Sequence, residues 1–173
     1  MRIIQCLHDG AARAALVEDE ATVRLTEADT YTLARRAIAA GRPLAEIVEA
    51  ALTETRLDYQ ALIDERRLLP PLTHDDPAHC LVTGTGLTHL GSADTRASMH
   101  AQADESELTD SMRMFKLGVE GGKPTAGAAG AQPEWFYKGD GDCVVAPEAP
   151  MPAPAFAEDA GEEPELAGLY VIG

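Results

Sequence analysis

Three short runs rich in β-branched and aliphatic residues open the chain: RIIQCL (2–7), RAALVE (13–18) and ATVRLT (21–26). Turn-forming residues separate them, His8-Asp9-Gly10 and then Asp19-Glu20, so the pattern predicts an antiparallel meander. The spacing of apolar positions then lengthens. ADTYTLARRAIAAG (28–41) offers Asp29 or Thr30 as an N-cap and Gly41 just past its end, the punctuation of a helix. Pro43 suits the first turn of a second helix, where Leu44, Ile47, Val48, Ala51 and Leu52 form one apolar stripe. Both helices read as packing elements for the sheet and carry no assigned chemistry.

Beyond them the pattern changes character. LLPPLTHDDPAHC (68–80) holds three prolines, breaks helical continuity and marks a boundary into a second region. LVTGTGLTHL (81–90) reads as a strand and turn, and DESELTDSMRMFKLG (104–118) as a short helix with Met112, Met114 and Phe115 available for packing. A long Gly- and Ala-rich loop (119–134) leads into an aromatic strand, WFYK. The Pro-Ala-acid stretch 146–164 has the composition of a linker, or forms an ordered loop along the rim of a site. It runs into ELAGLYVIG, whose apolar run predicts a buried strand. The fold class expected is α+β: a small N-terminal module over 1–72, then the beginning of a mainly β domain over 73–173.

Composition narrows the functional classes. Of 173 residues, 29 are Asp or Glu and 14 are Lys or Arg, giving a formal charge of −15. A field of that sign repels phosphates, which argues against nucleic acid or an anionic membrane surface as partner. The hydrophobic fraction of 45% is too high for a disordered acidic polymer. No stretch approaches the ~20 apolar residues of a membrane span, and the start has too brief an apolar run for a secretory signal. Cys6, Cys80 and Cys143 are odd in number and far apart, as expected in a reducing cytoplasm.

Several groups carry possible chemistry. Glu163 and Glu165 lie two apart, so on a strand their carboxylates share a face while Glu162 points away. Paired carboxylates repel unless a proton or cation sits between them, and hard oxygens suit Mg²⁺, Mn²⁺ or Ca²⁺. A solvated acidic turn is the alternative. GTGLTHLG (84–91) has His89 where a dinucleotide fingerprint needs its last glycine, and reads instead as a tight turn bringing His89, Ser92 and Arg96 together. Arg96 either grips a carboxylate through two parallel hydrogen bonds or is an ordinary surface arginine. Lys138, closing the aromatic strand, either snorkels to solvent or is partly buried for proton chemistry. The histidines, at 8, 74, 79, 89 and 100, lack the helical spacing of a zinc site.

Taken in order, GLTHLGSADTR (86–96), PEWFYKG (133–139) and EEPELAGLYVIG (162–173) resemble the fumarylacetoacetate hydrolase (FAH) superfamily. The resemblance spans about residues 80 to 173, with the leading region compatible with the family's smaller N-terminal domain. It implies an FAH-type catalytic β domain with Glu163 and Glu165 as ligands to Mg²⁺ or another divalent cation (Mn²⁺ or Ca²⁺). The hydrolytic branch carries a histidine and a glutamate that activate water. Those positions hold Ser92 and Thr95 here, and His89 stands where tyrosine is usual.

The pattern is closer to the 2-keto-3-deoxyarabonate dehydratases and the GguC-like sugar-acid branch. That likeness implies a dehydratase acting on a 2-keto-3-deoxy sugar acid, with Lys138 catalytic and Ser92, Arg96 and His89 binding substrate. It also implies a homodimer of the full-length form, and an N-terminal part of a longer enzyme whose third metal ligand follows Gly173. The alternatives are C–C hydrolysis or decarboxylation of a 2-oxo acid by the same superfamily, or a non-catalytic truncated product.

Overall fold

The computed structural model describes residues 1–85, 108–131, 135–157 and 165–172. The chain is of the mixed α+β class and divides into two units, Met1–Cys80 with Asp140–Gly173, and Leu81–Gly139.

In the first unit, the expected meander forms from β1 (Ile3–His8), β2 (Ala11–Val17) and β3 (Thr22–Thr26). His8 pairs with Ala11, which leaves Asp9 and Gly10 as a two-residue hairpin loop. Both have positive φ, 48° and 75°, as a type I′ turn requires, and Gly10 takes that conformation without steric cost. At the next reversal, Asp19 Oδ1 accepts hydrogen bonds from Ala21 N–H (2.8 Å) and Thr22 N–H (2.7 Å). These bonds hold its carboxyl below the usual carboxylate range.

Helix α1 (Thr30–Ala40) is capped by Asp29, whose Oδ1 accepts from Thr32 N–H at 2.7 Å, and ends on Gly41 in the left-handed region. Helix α2 (Leu44–Ala50) follows Pro43. Leu52, the last member of the expected stripe, instead begins β4 (Leu52–Asp58), which leads into α3 (Tyr59–Asp64). A two-residue strand, β5 (Leu68–Leu69), completes an antiparallel sheet of order β4-β3-β2-β1-β5.

Alternation along the strands buries both faces of this sheet. Cys6, Ala15, Val23 and Leu25 meet Leu62 and Leu68 in one core cluster. Ala14 and Ala28 meet Leu33, Val48 and Ala51 in the other. Gln5, 1% exposed, is a polar side chain inside this packing and is fully used. Its Oε1 accepts from Thr30 N–H (3.0 Å), while its Nε2 donates to Pro70 O (2.9 Å) and Thr73 Oγ1 (3.0 Å). One amide thereby ties the start of α1 and the proline segment to β1.

The remainder of this unit includes two short 3₁₀ turns, Pro77–His79 and Gly141–Cys143. A Cβ on Gly141 would lie 3.0 Å from Pro77 Cα, so the close approach of these turns needs glycine there. The strand expected at the end of the chain does not form: residues 165–172 have no regular structure. Leu166, Tyr170 and Ile172 are exposed rather than buried. A strand must satisfy its N–H and C=O groups on a neighbour, and no ladder among the described residues includes this run.

The second unit pairs β6 (Val82–Thr85) with β7 (Trp135–Gly139) in an antiparallel ribbon. It also contains α4 (Asp110–Gly121), with Thr109 Oγ1 accepting from Met112 N–H as its N-cap. The helix continues through Val119–Gly121, which the sequence assigned to the following loop. Among the described residues, no helix is long and apolar enough to cross a membrane.

Candidate functional site

Lys138 lies on β7, where the sequence placed it. Side chains two apart on a strand share a face, so Phe136 and Lys138 stand together opposite β6. Directly across from Phe136 is Gly84. A Cβ at Gly84 would meet Phe136 Cζ at 2.7 Å, Phe136 Cε2 at 2.8 Å and Lys138 Cε at 2.9 Å. Glycine therefore lets the ring and the lysine stem lie down on β6. The Lys138 ammonium sits 5.5 Å from the Phe136 ring centroid, within range of a cation–π attraction. The lysine is exposed, with its charge at an open surface and its stem against an aromatic ring.

Glu165 is an exposed carboxylate in the irregular segment 165–172 of the first unit, while Lys138 belongs to the second. A carboxylate oxygen is a hard donor, so its chemistry fits Mg²⁺, Mn²⁺ or Ca²⁺. Among the described residues, no group of three His, Cys, Asp or Glu side chains is placed to hold a metal ion. Glu163, the other expected ligand, lies outside the described residues, as do His89, Ser92 and Arg96.

A different constellation lies at the proline segment, and the sequence reading did not find it. Asp76 engages two imidazoles. Its Oδ2 is 2.9 Å from His79 Nδ1, and its backbone N–H donates to His74 Nδ1 at 3.0 Å, with its own carbonyl 2.9 Å from that nitrogen. The two rings stack with centroids 5.1 Å apart and an interplanar angle of 29°. Tyr31 of α1 meets His74 edge-on, at 4.9 Å between centroids. Asp76 Oδ1 also accepts from Ala78 N–H, and Pro77 starts the 3₁₀ turn that carries His79. The available signal was HDDPAH (74–79), two histidines five apart around an acid and a turn-forming proline. That spacing fits no helix, and its meaning depends on the turn.

The thiols differ in environment. Cys6 is fully buried, and burial pushes its pKa up, opposed in part by the Arg67 charge. Cys80 is half-buried and Cys143 exposed. Comparison with protein-family models, with curated proteins and with solved structures finds no match to this chain.

Proposed function

We propose that this chain belongs to a divalent-metal-dependent lyase that removes water from a 2-keto-3-deoxy sugar acid, on an FAH-type β domain. The observation that carries the reading is the ordered series of three segments ending on Lys138 and on Glu163 and Glu165. The placement of Lys138 supports it: a strand-borne ammonium, its stem laid over Gly84 and Phe136, at an open face. A lysine used as a base needs desolvation, so its exposure favours the role of fixed cation.

In this reading Glu163 and Glu165 would hold Mg²⁺ as hard oxygen ligands. The cation would supply Lewis acidity toward a 2-keto acid. Arg96 orients the carboxylate through two parallel hydrogen bonds. Ser92 and His89 hydrogen-bond the sugar hydroxyls. Lys138 would stabilise negative charge on the keto oxygen as the C3–H bond breaks; the C3 proton is carried by solvent water to the C4 hydroxyl, which leaves as water while a C3=C4 double bond forms. Ser92 and Thr95, standing where the hydrolytic branch has its water-activating histidine and glutamate, favour dehydration over C–C hydrolysis.

Lys138→Met tests the assignment, because it keeps the stem and removes the charge. Turnover of 2-keto-3-deoxy sugar acids in the presence of MgCl₂ should fall at least about a hundredfold, the scale for loss of one charge-stabilising group. Mg²⁺ binding followed by calorimetry should be unchanged. A variant with normal kcat would remove Lys138 from the chemistry.

A further inference from the structure

We propose that Gly84 and Gly139 are positioning residues: together with a β-bulge at Lys138 they aim its ammonium and hold it in place. The inference rests on the role given to Lys138 above and adds the device that sets its position.

The first observation is the register of the ribbon. Trp135, Phe136 and Tyr137 stand opposite Thr85, Gly84 and Thr83 in turn, and Val82 then pairs with Gly139 rather than with Lys138. Two residues of β7 therefore stand where β6 offers one, which is a β-bulge with Lys138 as its extra residue. A bulge bends its strand and re-aims the side chain it carries, which a regular ladder would hold opposite Val82.

The second is the backbone that follows. Gly139 has a φ of 151°, in the range that L side chains rarely adopt, so the bulge needs glycine at its second position.

The third is the seat. Gly84 is buried, and a Cβ there would lie 2.9 Å from Lys138 Cε and 2.7 Å from Phe136 Cζ. Real Cβ atoms do not come so close, so the lysine stem fills space that only glycine leaves. The Phe136 ring bounds the same space, with the ammonium 5.5 Å from its centroid. An exposed lysine ordinarily samples many rotamers. Bulge, glycine seat and ring together restrict this one, as a charge that works at a fixed place requires.

The test uses the full chain with ¹³C-labelled lysine, present at positions 116, 123 and 138. Lys138→Met assigns the Lys138 Cε signal by proton–carbon NMR. Fluorescence of Trp135, the one tryptophan of the chain, reports that the ribbon persists. Ring current from Phe136 should displace the Lys138 signal from those of Lys116 and Lys123, and Gly84→Ala and Gly139→Ala should each abolish the displacement. With MgCl₂ and 2-keto-3-deoxy sugar acids, each should lower kcat at least about tenfold with little change in KM, because misplacement by about 1 Å can cost a hundredfold. Phe136→Leu adds no atoms to the ribbon, so it reads the same loss of kcat where an alanine variant loses the Trp135 signature. A Lys138 signal that keeps its displacement in both glycine variants would overturn the proposal. So would a signal that moves while kcat stays at the parent value. If the parent turns over none of these acids, the reaction assigned above fails, and the NMR displacement decides separately whether the two glycines hold Lys138.

Discussion

Gln5→Leu is the substitution in which the hydrogen-bond arithmetic of the first unit can be checked. The side chains have similar volume, so the change removes polar atoms from a 1%-exposed position without opening a large cavity. Three hydrogen bonds vanish, from Thr30 N–H and to Pro70 O and Thr73 Oγ1. Each contributes about 1 kcal/mol net, and a buried partner left without one costs about 1–3 kcal/mol. Thr73 is exposed and can turn to water, so its share is small. Loss of a partner at Thr30 N–H and Pro70 O sets the total near 3 kcal/mol. With a urea m-value of about 1.5 kcal/mol/M for a unit of this size, the midpoint should fall by roughly 2 M. Far-UV circular dichroism against urea measures it. Gln60→Ala is the control, since that exposed side chain bonds only Asp64 and should shift stability by less than about 0.5 kcal/mol. A Gln5→Leu protein as stable as the parent would mean that the amide's bonds merely replace equally good bonds to water.

Three further predictions concern the thiols and Asp19. Cys80 and Cys143 should react with a thiol reagent in the native protein, and Cys6 only after unfolding, so two of the three thiols are counted before urea and three after it. Because the folded pKa of Cys6 is raised above its ordinary value of 9.0, the native state holds the proton more tightly than the unfolded chain. Its contribution to stability is complete below that value and is lost as pH rises through the folded pKa; Cys6→Ala should flatten the alkaline decline in melting temperature, and an unchanged decline would contradict the assignment. Asp19 has the opposite sign. Its folded pKa lies below 3.8, so its stabilisation is present above that value and is lost as pH falls through the folded pKa. Asp19→Ala should lower the urea midpoint at pH 7, and by progressively less as pH falls below 3.8; a loss that does not change with pH would place its effect outside the carboxylate.

What could be read from sequence follows the range of the interactions involved. The opening hairpins were legible because Asp9-Gly10 and Asp19 act within two or three residues of themselves. Asp29 and Gly41 bound α1 for the same reason. Strand β4 was not legible: it lies at the sheet edge and its central residues are exposed, so LTETRLD gives little alternation. Helix α3 has six residues, too few for a periodic signal, and β5 has two beside a proline pair. The apolar run at 165–172 shows the converse. Hydrophobicity announces a demand for burial, but whether a partner strand exists is decided far away in the chain.

The candidate site divides along the same line. Lys138 was placed correctly on a strand by its apolar neighbours, but its contact with Gly84 joins residues more than fifty positions apart and is set by the β6–β7 register. The pairing of His74 with His79 depends on both side chains folding back on Asp76. Ser92, Arg96, His89 and Glu163 lie outside the described residues, and their roles rest on the order of the sequence segments.

The central claim is dehydration, and the most direct measurement is the mass of the product formed when the protein is incubated with MgCl₂ and a panel of 2-keto-3-deoxy sugar acids. The account predicts a product lighter than its substrate by one water, and no product when Lys138 is replaced by methionine. Two smaller acids from a cleaved carbon–carbon bond, loss of carbon dioxide, or no product from any member of the panel would contradict it.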